Sequence, residues 1–112
     1  MAKILITSGP TRQYLDPVRY ISNASSGQMG RCLAQAALDL GHKVTIVSGP
    51  VVVDYPVGAT IIPVVSTEEM LEQASLAFES CDGLIGAAAP CDYRPVDVAD
   101  HKIKKTGDTL TI

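Results

Sequence analysis

Tryptophan is absent from the 112 residues, phenylalanine occurs once, and the net charge is −3. A nucleic-acid surface normally shows a basic face or aromatic rings on which bases stack, so this composition argues against one. No apolar run is long enough to cross a bilayer, and Lys3 is followed by only three apolar residues, too few for the core of a secretory signal. The expectation is a cytosolic protein with no membrane partner. Cysteine is scarce: Cys32, Cys81 and Cys91 are odd in number and widely spaced, which fits neither a disulfide framework nor a zinc site. All three are expected as small buried apolar side chains. With 46% hydrophobic and 19% charged residues, a single domain able to bury a core is expected over residues 1–112. No repeat or low-complexity tract divides it.

What is present is an alternation of strand and helix patterns. Lys3 to Thr7 is a short apolar run closed by Ser8-Gly9-Pro10, which predicts a buried first strand. From Gly9 to Ser26 there is no clear periodicity, and loops of that length in compact domains are usually functional or disordered, so this is the first candidate for a binding loop. Met29, Cys32, Leu33, Ala36, Ala37 and Leu40 then recur at helical spacing, and Gly41 supplies a stop. That stripe is expected to be buried. Lys43 to Ser48 predicts the second strand and Ala59 to Val65 the third, with Pro63 placing it at an edge or shortening it. Val51 to Gly58 reads as a connecting loop that tucks apolar side chains inward. Ser66 and Glu69 have the spacing of a capping box before a helix whose apolar face is Met70, Leu71, Ala74, Ala77, Phe78 and Cys81. Gly83 to Ala89 reads as a central strand, and another is predicted near Thr109.

This order predicts an α/β fold: a Rossmann-like, open, mostly parallel sheet with helices on both faces, whose ligands bind beyond the C-terminal ends of the strands. The dinucleotide fingerprint is nevertheless missing. Ser8-Gly9-Pro10-Thr11-Arg12 lacks the Gly-x-Gly-x-x-Gly spacing, the second strand ends without an acidic residue for a ribose, and no P-loop occurs. A dinucleotide-dependent oxidoreductase is therefore the weaker alternative.

The chain offers a different anion site. Asp16 to Gly30 carries serines and glycines into the start of the first helix, where backbone N–H groups and a partial positive charge are exposed. Ala87-Ala88-Ala89-Pro90-Cys91-Asp92-Tyr93-Arg94 follows the Gly83 strand, and Lys102-Ile103-Lys104-Lys105 adds a basic cluster. Taken alone, each has a plainer reading: Asn23 as an Asx-type cap, Arg19 as a solvated loop residue, Asp92 as a turn cap, the lysines as a solvated charge run. His42 and His101 read as exposed structural residues, and neither is placed to activate Cys91 as a nucleophile.

Together, in this order, the three segments resemble the phosphopantothenoylcysteine synthetase domain of coenzyme A biosynthesis, over nearly the whole chain. The resemblance implies a ligase that joins 4'-phosphopantothenate to cysteine through an acyl-nucleotidyl intermediate, using CTP, with ATP left open, and Mg2+. It matches Asn23, Arg19 and Lys102 to catalytic positions. It implies a phosphate cradle at Gly9, Ser25, Ser26 and Gly27, further phosphate contacts at Lys104 and Lys105, and a nucleotide segment at Ala88, Ala89 and Asp92. Pro90 and Cys91 stand where relatives often have small or aliphatic residues. The family also implies a homodimer, and fusion to or association with an FMN-dependent decarboxylase domain, with no FMN held by this domain itself. The chain ends at Ile112 as a strand begins, whereas the family's domain continues, so a truncated domain is expected. A nucleotide-binding fragment without catalysis is the other alternative.

Overall fold

The computed structural model describes residues 1–104. Lys105 and the strand expected near Thr109 lie outside the described residues. In chain order the elements are β1 (Lys3–Pro10), β2 (Arg12–Tyr14), β3 (Tyr20–Ser22), α1 (Gln28–Asp39), β4 (Lys43–Ser48), β5 (Thr60–Pro63), α2 (Thr67–Phe78) and β6 (Gly83–Ala89). Four strands form a sheet in the order β5-β4-β1-β6, with every neighbouring pair parallel.

Because side chains alternate along a strand, the apolar runs of β1 and β4 serve two faces at once. Ile6, Val44 and Ile46 pack with Ala34 and Ala37 of α1, whereas Leu5 and Val47 pack with Val64 and Met70 on the α2 side. The expected layering, with helices on both faces, is thereby formed. From β1 the chain moves outward through β4 to β5 and then returns to the other flank of β1 as β6. That reversal leaves a crevice beyond the C-terminal ends of β1 and β6, where open α/β sheets bind ligands.

Several expectations are corrected. The segment after β1 is not a featureless loop: β2 and β3 pair antiparallel, with Arg12 opposite Ser22, Gln13 opposite Ile21 and Tyr14 opposite Tyr20. Three-residue strands are too short to show a period, and this pair is held instead by side chains. The Tyr14 and Tyr20 rings lie 5.3 Å apart, and the Arg12 guanidinium sits 4.4 Å from the Tyr20 ring centre.

The buried stripe of α1 is also rotated from the expected one. Gly30, Ala34 and Ala37 are buried, with Leu33 and Leu38 half-buried, whereas Met29 and Leu40 are 65% and 77% exposed. The cause is close approach: a Cβ on Gly30 would stand 2.0 Å from Ser8 Oγ. Small residues therefore face the sheet and the larger ones turn outward. On α2, Met70 is buried and Ala74, Ala77 and Cys81 pack beside it, but Leu71 and Phe78 are exposed. Cys32 is exposed and Cys81 half-buried, so only Cys91 matches the buried state expected of all three thiols. His42 is half-buried, its Nδ1 accepting the Ala2 N–H at 2.9 Å. Finally, β6 is not central among the described residues. It is the outermost strand on its side of β1, with Leu84 53% exposed. The edge position inferred for Pro63 holds, since β5 closes the opposite flank. No helix among the described residues is long and apolar enough to cross a membrane.

Candidate functional site

The crevice is organised by a ring of hydrogen bonds around Thr11, which is fully buried just past β1. Cys91 donates its N–H to Thr11 Oγ1 at 2.7 Å, and Thr67 Oγ1 donates to the Cys91 carbonyl at 3.0 Å. The remaining contact, Thr11 Oγ1 to Thr67 Oγ1 at 2.7 Å, then has Thr11 as donor, because the Thr67 proton is already directed at Cys91. This ring ties the end of β1, the start of α2 and the turn after β6 into one piece. Ser22 Oγ donates to the Thr11 carbonyl at 2.8 Å and brings the end of the hairpin to the same place.

Asn23 follows directly. Its Nδ2 donates to the Pro90 carbonyl at 2.8 Å and, more weakly, towards the Ala89 carbonyl at 3.4 Å. Two carbonyl partners fix which way the amide points, so Nδ2 faces the backbone after β6 and Oδ1 is the end left for an acceptor role. The first and second motifs therefore meet at the mouth of the crevice.

At the start of α1, Gly27 is the N-cap with φ 81° and has no side chain with which to cap the helix. Ser26 Oγ accepts the Gln28 N–H at 3.2 Å, and the first helical bond runs from Arg31 N–H to the Gly27 carbonyl at 3.0 Å. Ser26 is exposed and Ser25 half-buried. Gly9 and Gly27 are different: both are buried beneath Val51, whose Cγ1 would stand 2.7 Å and 2.9 Å from a Cβ placed on them. Tyr55 braces that cover through Ser8 Oγ at 2.9 Å and Ser48 Oγ at 2.7 Å. Of the expected cradle, only the serines reach solvent, Ser25 in part, and the glycines are covered.

Asp16 organises the turn of the hairpin. Its carboxylate is wholly buried and accepts four hydrogen bonds: Oδ1 from the N–H groups of Val18 (2.9 Å) and Arg19 (2.8 Å), Oδ2 from Arg19 Nη1 (2.6 Å) and the Ile103 N–H (2.9 Å). The Ile103 N–H, with the Val18 and Arg19 donors behind it, draws the Asp16 carboxyl down to about 2 from an ordinary 3.8, against the opposing effect of lost hydration. Arg19 Nη1 also donates to the Ile103 carbonyl at 3.2 Å. Lys102 and Lys104, both exposed, flank the half-buried Ile103. A second polar cluster lies at the start of α2, where Glu68 accepts from Gln13 Nε2 at 2.9 Å and Arg94 Nη1 at 3.1 Å. The Gln13 amide, chiefly, holds the Glu68 carboxyl below the usual carboxylate range.

The residues singled out from sequence thus fall into two neighbouring groups. Asn23 meets the backbone at the end of β6, where Ala88 and Ala89 lie, Ser25 and Ser26 follow it in the approach to α1, and Asp92 is exposed just past Cys91. Arg19, Lys102 and Lys104 gather at the hairpin turn. Three residues of near-extended chain separate Arg19 from Asn23, a span of roughly 13 Å over four steps. Lys105 is outside the described residues. Cys91 is buried with Sγ directed at the Tyr93 carbonyl at 3.1 Å, and His101 is exposed beside Asp100. Among the described residues no three His, Cys, Asp or Glu side chains gather as a metal site. Sequence reasoning missed Thr11, Thr67 and the role of Asp16. Only Asp16 carried a signal, since an aspartate opening Asp-Pro-Val-Arg is suited to an Asx turn.

Comparison with known proteins gives a consistent result. Residues 1–112 match the family described as the DNA/pantothenate metabolism flavoprotein C-terminal domain. The chain is 54% identical over 112 residues to the coenzyme A biosynthesis bifunctional protein CoaBC of Vibrio cholerae, covering 98% of this chain and 28% of that protein. It is 44% identical over 110 residues to CoaBC of Bacillus subtilis, covering 97% and 27%. Among solved structures, the C-terminal domain of a CoaBC protein superposes with a TM-score of 0.82 at 44% identity, covering 87% of this chain and 49% of that one. The chain spans about a quarter of the length of the curated relatives it matches.

Proposed function

Because the chain belongs to the DNA/pantothenate metabolism flavoprotein C-terminal domain family, we propose that it is the nucleotide-handling part of a ligase that joins 4'-phosphopantothenate to cysteine in coenzyme A biosynthesis. The observation that carries this reading is the Asn23 contact with the Ala89 and Pro90 carbonyls. It joins the serine-rich entry of α1 to the turn after β6, beyond the C-terminal ends of β1 and β6, and the hairpin that precedes it holds the lysine segment.

In the first step a carboxylate oxygen of 4'-phosphopantothenate attacks the α-phosphorus of CTP, forming an acyl-cytidylate and releasing pyrophosphate. In the second the cysteine amine attacks the acyl carbon, releasing CMP and a proton as the amide forms. The first step brings an anion up to a polyanion, so it requires cations and N–H donors aimed at phosphate oxygens. Ser25, Ser26 and the first N–H groups of α1 serve that purpose on one side, and Lys102, Lys104 and Arg19 on the other. Asn23 Oδ1 accepts from a substrate N–H. The small side chains of Ala88 and Ala89 leave room for the nucleoside, and Asp92 accepts from it. Mg2+ arrives with the nucleotide as part of the substrate, coordinated by phosphate oxygens and water. CTP is chosen over ATP on family grounds, and the FMN-dependent decarboxylase activity is assigned to a separate domain. A homodimer and a cytosolic setting complete the reading, the latter in keeping with three free thiols.

The test is pyrophosphate release from CTP and Mg2+ in the presence of 4'-phosphopantothenate, with Asn23→Ala and Lys102→Ala alongside. Release that depends on both substrates, and falls about a hundredfold in each variant, is the expected result. Unchanged release in Lys102→Ala removes the role given to it. Nucleotide binding without pyrophosphate favours the second reading, a nucleotide-binding unit without catalysis.

A further inference from the structure

We propose that Asp16 and Arg19 form a clip that positions Lys102 and Lys104 for a triphosphate, acting through the backbone of Ile103. The inference rests on the ligase reading above for its ligand, and on geometry alone for the clip. Both polar groups of one peptide residue are held: the Ile103 N–H by Asp16 Oδ2 at 2.9 Å and the Ile103 carbonyl by Arg19 Nη1 at 3.2 Å. The two jaws are fixed to each other by the Arg19 Nη1 to Asp16 Oδ2 contact at 2.6 Å. A further anchor lies four residues upstream, where the Ala99 N–H donates to the Leu15 carbonyl at 2.9 Å. Residues 99 to 103 are thus laid across the hairpin turn.

The carboxylate divides its work between its oxygens. Oδ1 accepts only from Val18 and Arg19, and that pair builds the turn. Oδ2 holds the Arg19 side chain and the remote segment. A turn alone would need one oxygen, as an asparagine supplies. The second oxygen is buried and fully engaged, and its distant partner is the one residue lying between two exposed lysines. Lysine is a mobile point charge on a long stem, so its value to a phosphate depends on a fixed backbone beneath it. Arg19, with one nitrogen committed to the clip, is thereby a positioning residue as well as a cation beside the lysines.

Asp16→Asn separates the two functions, since it keeps Oδ1 for the turn and replaces Oδ2 with a donor that cannot accept the Ile103 N–H. The measurements are amide hydrogen exchange by NMR and affinity for Mg2+-CTP, both on the full chain. In Asp16→Asn the Ile103 amide is expected to exchange about tenfold faster or more, with the Ile6 and Ile46 amides unchanged. Mg2+-CTP affinity is expected to fall about as far as in Lys102→Ala, and the Asp16→Asn, Lys102→Ala double variant to lose less than the sum of the two. Should Asp16→Asn fail to fold, Ile103→Pro removes the same N–H without touching the turn and is expected to weaken Mg2+-CTP binding, while Ile103→Val restores wild-type affinity. Wild-type Ile103 protection in Asp16→Asn, or fully additive losses, overturns the clip while leaving the ligase reading intact. A wild-type chain that binds no Mg2+-CTP overturns the ligase reading and with it the purpose of the clip, even where the Ile103 amide responds as expected.

Discussion

Asn23 and Asp16 show how a side chain's role is decided by partners far away in sequence. Asparagine has a donor and an acceptor end, and from sequence either could meet a substrate. The carbonyls of Ala89 and Pro90 take the donor end, which leaves Oδ1 as the free one. No local pattern around Asn23 contains that information, because the partners lie 66 and 67 positions away. Asp16 carried a turn signal that went unread, and its bond to Ile103, which spans 87 positions, carried none. Its depressed pKa gives a prediction with a definite sign. A carboxyl at about 2 when folded and 3.8 otherwise contributes stability that is complete above 3.8 and lost as pH falls through 2. Urea denaturation of wild type and Asp16→Asn should therefore show a stability gap that is widest above pH 3.8 and closes on acidification. A gap of constant size would mean that the charge of Asp16 contributes nothing.

The two helices begin in physically different ways, and only one beginning was readable. Ser66 and Glu69 form the reciprocal capping box expected from their spacing: Glu69 N–H to Ser66 Oγ at 3.1 Å, Ser66 N–H to Glu69 Oε1 at 3.1 Å. Ser66→Ala should destabilise the chain by about 1 kcal/mol, measurable as a lower urea midpoint with an unchanged slope. A shift below a few tenths of a kcal/mol would mean that the cap is replaced by water. Helix α1 has no such cap, and Gly27 instead turns the chain into it with a positive φ. The stripe of α1 was misplaced for a related reason. Periodicity weighs large apolar residues, whereas here the depth of burial is set by Gly30 and Ala34, which let the helix axis close on Ser8. The β2–β3 hairpin escaped notice because its adhesion comes from Tyr14, Tyr20 and Arg12 rather than from alternation. By contrast β4 was found over its full span from Lys43 to Ser48, since an apolar run bounded by a charge and a Gly-Pro break has few other readings.

At the scale of the whole molecule, layering and strand direction were legible from the order of elements, and the edge position of β5 from Pro63. The β2–β3 pair forms a sheet of its own, apart from the four-stranded one, and its attachment through Gln13 to Glu68 and Ser22 to Thr11 could not be read from element order. The sheet order has a further consequence for how the chain is made. β1 is paired on one side with residues 43–48 and on the other with residues 83–89. During synthesis β1 can pair with β4 once residue 48 has emerged, but its other edge stays open until the last described strand follows. The unpaired backbone of that edge is what stands open meanwhile, so a nascent chain stalled before residue 83 is where a chaperone has the most to hold.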